Sequence, residues 1–473
     1  MNIVIVGGGT AGWLAAYYIL KSQPNKHKIT VVESSSIGII GAGEGSTGSL
    51  IDLLNGYFFD YKIDILDFID KTDAFPKMGI RHIGWNVNKE SYFAPLDVSP
   101  TGFNLNDDIF KYVFSKNGKE GMHQASRIGI HYSEQNMDSF YALHFDGHKV
   151  GKYFKNLCLK DGVVVIDSEI EDIILDKDND VKSISLKNKL KIEGDLFIDC
   201  TGFARVLMKK LQVQWISKKQ FLPMNSAMPF LVPYKDEEFV APETSATALS
   251  AGWMWNIPLS TRRGCGYVYD NSYISKEEAK QEIEDLLKHE IQPIKYIDFD
   301  SGYSEYFLKN NVLCLGLSSS FVEPLEATSI HNTIMQIAIF VSECLSSDKD
   351  STLTQQNEDM YNERVKFLMD LTVDFISLHY QGGRQDTPFW KNIHDNKVGT
   401  PWALGVVARA KTKIPGFASF HGMFGSFSMP LANWILAGLD IITPEQSERE
   451  LLYTKNLDFV EKQYIDFRRN IAS

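Results

Sequence analysis

Gly7-Gly8-Gly9-Thr10-Ala11-Gly12 has the spacing G-x-G-x-x-G, and Glu33 follows Gly12 by 21 residues. In such a string Gly7 permits a tight turn, Gly9 lets a pyrophosphate reach the backbone, and Gly12 allows close helix packing. Thr10 and Ala11 then open a helix whose N–H groups and dipole favour the anion, and Glu33 would accept ribose hydroxyls. A dinucleotide is the reading, with a purely structural glycine turn as the plain alternative. Lys77 lies among Ala74, Phe75, Met78 and Ile80; such neighbours strip its solvation, lower its pKa and free an amine, unless it is simply a surface lysine. Glu326 precedes Thr328 and Ser329 where an apolar helical run begins. Unpaired backbone N–H groups there suit an anion, and ordinary helix capping would use the same residue types. In Gly252-Trp253-Met254-Trp255-Asn256-Ile257-Pro258 the two tryptophans share one face of a strand, as core aromatics ended by a proline also would.

The elements that must hold these residues follow from hydrophobic patterning. Asn2–Val6 reads as a buried strand, Thr10–Ser22 as a helix and Lys28–Glu33 as a second strand, which makes one βαβ unit and an α/β fold. From Asp146 to Gly202 the text reads as strands, among them Val163–Ile166, Ile170–Leu175, Ser183–Leu186 and Leu196–Asp199, and a meander beside the first sheet is expected. A further strand runs from Val312 to Gly316, followed after a Ser/Pro loop by a helix over Ser329–Cys344. Helices are also expected near Glu277–His289 and over Glu358–Tyr380, and polar Ser346–Asn357 reads as a surface linker.

Composition narrows the class. With 44% apolar and 23% charged residues over 473 positions, the chain can bury a sizeable core and is no lone binding module. Its 48 basic and 60 acidic residues leave a net charge of -12, the wrong sign for tracking phosphates, so nucleic acid is not an expected partner. Five scattered cysteines without CxxC point to reduced thiols in a cytoplasmic setting and to no metal site. Met1 and Asn2 lead straight into an apolar run without a basic leader and small-residue cleavage site, so export is not expected. The uncharged stretch Ile414–Leu439 is too broken by Pro and Gly to span a membrane; it is expected to form a buried pocket wall.

Together these strings resemble a known family. Trp253, Trp255, Ile257 and Pro258 form WxWxIP, Thr72–Ile80 matches a lysine-bearing segment, and Phe321-Val322-Glu323-Pro324-Leu325-Glu326-Ala327-Thr328-Ser329-Ile330 matches a glutamate loop. All three are similar to the flavin-dependent halogenases, tryptophan-halogenase-like group. The likeness extends to Gly41–Thr47, which includes Gly43 and Glu44, and to Tyr141–Phe154. It covers most of residues 1–345, and the Asn433–Gly438 string is similar to a common C-terminal string of the group. Leu196–Gly202 resembles an adenosine-side contact of flavoproteins built on the glutathione-reductase plan, so FAD is favoured over NAD. Gly316-Leu317 stands where related hydroxylases usually have Gly-Asp, and no second GxGxxG marks a built-in nicotinamide site.

The resemblance implies a glutathione-reductase-type, flavin-monooxygenase-like FAD-binding fold with a substrate-covering sheet and a C-terminal helical cap. The domains would be 1–205 with 301–345, then 206–300, then 346–473. It implies FADH2, O2 and halide, with reduced flavin supplied by a separate NAD(P)H-dependent reductase. Lys77 would orient hypohalous acid or carry the halogen, Glu326 would be catalytic, and Thr328 and Ser329 would bind halide. The cofactor would meet Gly7, Gly9, Thr10, Ala11, Gly12, Glu33, Gly43, Glu44, Gly316 and Leu317. The WxWxIP motif would lie near the flavin and keep organic substrate from it. Ala327 replaces the Ser often found in the family. Tryptophan-specific members carry a Tyr-Tyr pair that this chain lacks after residue 345, so free tryptophan is not the expected substrate. Phe417, Phe420 and Phe424, with Trp434, form either core or a pocket for a flat aromatic molecule. An FAD monooxygenase or reductase of the same fold, and a non-catalytic flavin-binding protein, stay as alternatives, and a homo-oligomer is left open.

Overall fold

Ile3–Ile5 are fully buried because the Asn2–Val6 strand lies at the centre of a six-stranded sheet. The computed structural model describes residues 1–38, 43–96, 107–121, 142–345, 353–416, 427, 429–454 and 456–472. Among these the chain divides into two compact units.

The first unit comprises Met1–Ala74, Phe145–Ser217 and Gly302–Met369. Its main sheet runs in the order Leu308–Lys309, Val312–Cys314, Leu196–Asp199, Asn2–Val6, Lys28–Glu33, Val164–Asp167. All neighbours pair in parallel except the Leu308–Lys309 edge. Buried parallel strands need apolar side chains on both faces, which is why these segments read as continuous apolar runs. The expected meander is only partly present. Ile170–Leu175, Val181–Leu186 and Lys191–Glu193 form a small antiparallel sheet, whereas Val164–Asp167 and Leu196–Asp199 join the main sheet. Gly147–Lys160, expected to open a strand region, is a helix: Asp146 caps Lys149 N at 3.1 Å, and Val150, Phe154 and Cys158 recur at helical spacing on its buried face.

The second unit comprises Phe75–His144, Lys218–Ser301 and Asp370–Ser473. A seven-stranded sheet orders Ile297–Asp298, Ser226–Pro233, Arg262–Tyr269, Gly252–Pro258, Thr244–Ala248, Gly79–Ile83, Ser91–Pro95. Gly79–Ile83 and Ser91–Pro95 thus join the covering sheet and not the dinucleotide domain to which the sequence assigned them, because Gly79–Ile83 pairs in parallel with Thr244–Ala248. Residues 206–217 go the other way: Asp199 caps Leu207 N and Met208 N, and Trp215–Ser217 pairs with Gly302–Ser304. Three C-terminal helices, Pro388–Asp395, Pro401–Ala410 and Pro444–Leu451, each begin Thr-Pro, with Thr387, Thr400 and Thr443 capping the third amide and proline at the first helical position. Residues 346–352 of the expected linker lie outside the described residues, and helix Gln355–His379 begins within its end. No described helix is long and apolar enough to cross a membrane.

Candidate active site

In the first unit the glycine loop follows directly from the central strand. Gly7 has φ +110°, and an added Cβ would overlap the Cys200 carbonyl; one at Gly12 would overlap the Gly7 carbonyl. Gly9 differs. Its φ is −75°, open to any residue, and among the described residues no atom lies within 4 Å of an added Cβ. No described residue therefore crowds that position, and a glycine there fits a group passing over the loop, as the pyrophosphate of a dinucleotide would. Thr10 Oγ1 donates to the Gly147 carbonyl at 3.0 Å, and Gly316, at φ +61°, lies against the Ala11 methyl. Gly7, Gly9, Thr10, Ala11, Gly12 and Gly316 are thus brought together, with Leu317 beside them in the turn Gly316–Ser318.

Glu33 ends its strand half-buried, accepting from Trp13 Nε1 at 3.1 Å and from Lys155 Nζ. A carboxylate offers about four acceptor directions, so these two donors orient it without using it up. Gly43 takes φ +105°, and Glu44 packs its carboxyl where a side chain on Gly147 would stand. Burial and the charge of Asp146 push that carboxyl up to about 7. Residues 39–42 of the Gly41–Thr47 string lie outside the described residues. The sequence reading did not single out His331: its Nδ1 meets Thr47 Oγ1 and Ser49 Oγ, each at 3.1 Å, and burial lowers its pKa to about 4. Its only sequence signal is its place in the first turn after the glutamate loop.

Glu326 is buried at the end of the short turn Pro324–Glu326, between two non-glycine residues of positive φ, Glu323 at 40° and Ala327 at 54°. Ala327 precedes helix Thr328–Glu343 in the left-handed region. No side-chain cap is made at Ala327, and the helix opens with buried Thr328 and exposed Ser329. A helical residue followed by a left-handed one turns successive N–H groups into a concavity suited to an anion.

In the second unit Lys77 ends the strand Phe75–Lys77 and is 1% exposed, which removes the surface alternative. Its charge reaches two buried imidazoles: His82 is held well below its ordinary pKa by burial, His379 and Lys77, and His144 by burial and Lys77. Trp253 is 1% exposed and stands edge-on to half-buried Trp255 at 6.4 Å, while Trp85 lies 6.2 Å from Trp253. The Trp255 ring lies on Gly266, where any Cβ would overlap it. Ile257 and Pro258 are buried at the strand's end. Around Trp85 gather His82, His379, Tyr380 and Trp390, and His82 stacks on Tyr92 at 4.8 Å. No local signal could have found this aromatic group, since its members come from three distant stretches. Trp434 packs edge-on against Phe110 at 5.0 Å and Phe114 at 5.9 Å, fully within the core. Phe427 stacks on Phe375 at 4.0 Å, and Phe417, Phe420 and Phe424 lie outside the described residues.

The sequence matches the family described as tryptophan halogenase over residues 2–451. The chain belongs to that family. This halogenase is 32% identical to 7-chloro-L-tryptophan 6-halogenase KtzR of Kutzneria sp. (strain 744), with 82% of this chain and 81% of the relative covered. It is 31% identical to tryptophan 7-halogenase RebH of Lentzea aerocolonigenes, over 99% and 96% of the two chains. Tryptophan 6-halogenase SttH from Streptomyces toxytricini has a similar solved structure, with a TM-score of 0.85 at 28% identity over 100% of this chain and 96% of that one. The protein is a flavin-dependent halogenase, an oxidoreductase, and its α/β architecture is the FAD-binding fold of that family.

Proposed function

We propose that this halogenase attaches halogen to an aromatic or heteroaromatic small molecule through hypohalous acid that it generates and guides with Lys77. The glycine loop, Glu33, Gly43, Glu44, Gly316 and Leu317 would hold FAD, which as FADH2 with O2 supplies the two-electron oxidation of halide. The amides of Thr328 and Ser329 hold the halide. Lys77 donates a hydrogen bond to hypohalous acid or bears the halogen on its amine, and Glu326 stabilises the positive ring or takes its proton as aromaticity returns. The tryptophan pair keeps organic substrate from the flavin. Reduced flavin comes from a separate NAD(P)H-dependent reductase.

The observation that carries this reading is the burial of Lys77. A lysine almost fully removed from water among neutral imidazoles is costly to keep, and structural lysines are seldom found so. The named relatives act on tryptophan or chlorotryptophan; without a Tyr-Tyr pair after residue 345, free tryptophan is not the expected substrate of this chain. The test is a mass-spectrometric screen of phenols, indoles and other heteroaromatics with FAD, a reductase, NADH, O2 and each halide, with hypohalite controls. Regioselective halogenated product that falls at least about 100-fold in Lys77→Ala, with flavin oxidation intact, supports the reading. Oxygenated product regardless of halide would replace it with a monooxygenase, and halogenation retained in Lys77→Ala would remove Lys77 from the mechanism.

A further inference from the structure

Asp199 has no part in the reading above, yet it joins two of the segments on which that reading depends. It ends the strand Leu196–Asp199, which lies between Asn2–Val6 and Val312–Cys314. Cys200, the next residue, donates its N–H to the Val6 carbonyl at 2.7 Å and lays its own carbonyl against Gly7 of the glycine loop. On the other side the main-chain carbonyl of Asp199 accepts from Leu315 N at 3.0 Å, immediately before the turn Gly316–Ser318. The Asp199 side chain is fully buried. One carboxylate oxygen accepts from Leu207 N at 2.9 Å and Met208 N at 3.1 Å. The other accepts from Thr201 N at 3.0 Å, Thr201 Oγ1 at 2.6 Å and Ser318 Oγ at 3.0 Å.

The donors from Thr201, Leu207 and Met208 lie within 9 residues of Asp199 and would serve a local turn, whereas Ser318 is 119 residues away. Ser318 is itself fully buried, and its Oγ also stands 3.0 Å from the Gly202 carbonyl. That carbonyl already accepts from Arg205 N at 3.1 Å. A hydroxyl has one proton, and a carboxylate draws it more strongly than a carbonyl does, so Ser318 donates to Asp199. Arg205 Nε donates in turn to the Ser318 carbonyl at 3.3 Å. Two buried side chains of opposite charge thus grip Ser318 by its hydroxyl and its carbonyl, and Asp199 holds the turn at both entry and exit. Between these grips only Leu317 is part-exposed, and Gly316 rests against Ala11 at the start of the helix that follows the glycine loop.

We propose that Ser318 is a positioning residue for FAD: held by Asp199 and Arg205, it fixes the Gly316–Ser318 turn against the glycine loop and so sets where the flavin ring lies relative to the pyrophosphate. The proposal rests on the reading above that Gly316 and Leu317 meet the cofactor. The full-length apoprotein is titrated with FAD, read by flavin fluorescence, and with ADP, which carries adenosine and pyrophosphate but no flavin ring. Ser318→Ala removes the hydroxyl alone. FAD affinity is expected to fall about 10-fold, as for the loss of one hydrogen bond to a charged group, while ADP affinity stays within about 2-fold. The visible circular dichroism of bound flavin should change as the ring shifts. A merely structural bond would weaken both ligands together, so equal loss of FAD and ADP overturns the positioning role. Unchanged FAD affinity or an unchanged flavin spectrum overturns it as well. Ser318→Cys keeps the shape with a poor donor; it should give the same pattern, and it replaces the alanine variant should that one not fold. FAD that fails to bind the unaltered chain would sink the cofactor reading and this proposal with it, whereas FAD bound alike by the unaltered and variant chains sinks the proposal alone.

Discussion

Burial moves Glu44 and His331 away from their ordinary protonation behaviour in opposite directions, to about 7 and about 4. For Glu44 the folded pKa exceeds the unfolded one, so its contribution is full below the carboxylate range and is lost as pH rises through about 7. At pH 8 the loss is at most about 3 kcal/mol, and Glu44→Gln abolishes this slope. For His331 the folded pKa is depressed, so stability is complete above the ordinary histidine value and is lost as pH falls through about 4. His331→Gln should flatten that acid limb. Urea midpoints measured from pH 4 to 8 check both statements; curves parallel to the unaltered protein in either variant would refute the corresponding one.

At the scale of elements, two local fits place the motif residues. Trp255 packs on Gly266 of the neighbouring strand in the register Trp255↔Gly266. Gly266→Ala should cost about 1–3 kcal/mol by displacing the indole, and the cost should nearly vanish in a Trp255→Ala background. Denaturant midpoints around this mutant cycle test it, and an additive result would show that the ring is not seated on the glycine. Ala327 holds the left-handed turn before helix Thr328–Glu343. Ala327→Gly should be tolerated, whereas Ala327→Val should be less stable than the glycine variant by about 1–2 kcal/mol, because a branched side chain crowds the carbonyl in that region.

Across the molecule, cofactor loading and folding stability should separate cleanly at Gly9. Since no described residue lies within 4 Å of an added Cβ there, Gly9→Ala should change the apoprotein's stability by no more than about 1 kcal/mol, the cost of a poorer helix cap, and should abolish FAD binding. FAD at one hundred times its Kd should add about 2.7 kcal/mol to the unaltered chain and nothing to the variant. Hydrogen exchange should report the gain in the first unit, at the glycine loop and the start of helix Thr328–Glu343. A variant that binds FAD normally would show that the open space over Gly9 is not the pyrophosphate path.

The amino-acid sequence alone determined the local parts whose rules are short-range. The strand, glycine turn and helix at Asn2–Ser22 formed where the periodicity and Gly7 demanded, and Ile170–Leu175, Leu196–Asp199 and the helix after Glu326 fall within a few residues of expectation. The motif strings single out candidate site residues because glycine geometry, an apolar surround for Lys77 and acids before an apolar helix are written within a few positions. Helix Gly147–Lys160 was hidden because its apolar spacing sits between strand-like runs and its cap is a single aspartate. Only the tertiary structure decided that Gly79–Ile83 and Ser91–Pro95 belong with the covering sheet, that Trp434 is core, and that Ser318 meets Asp199. Each of these depends on strand register or on packing between segments distant in the chain. A one-residue slip of Leu196–Asp199 in its sheet would turn Asp199 to the opposite face without changing a letter of the strand.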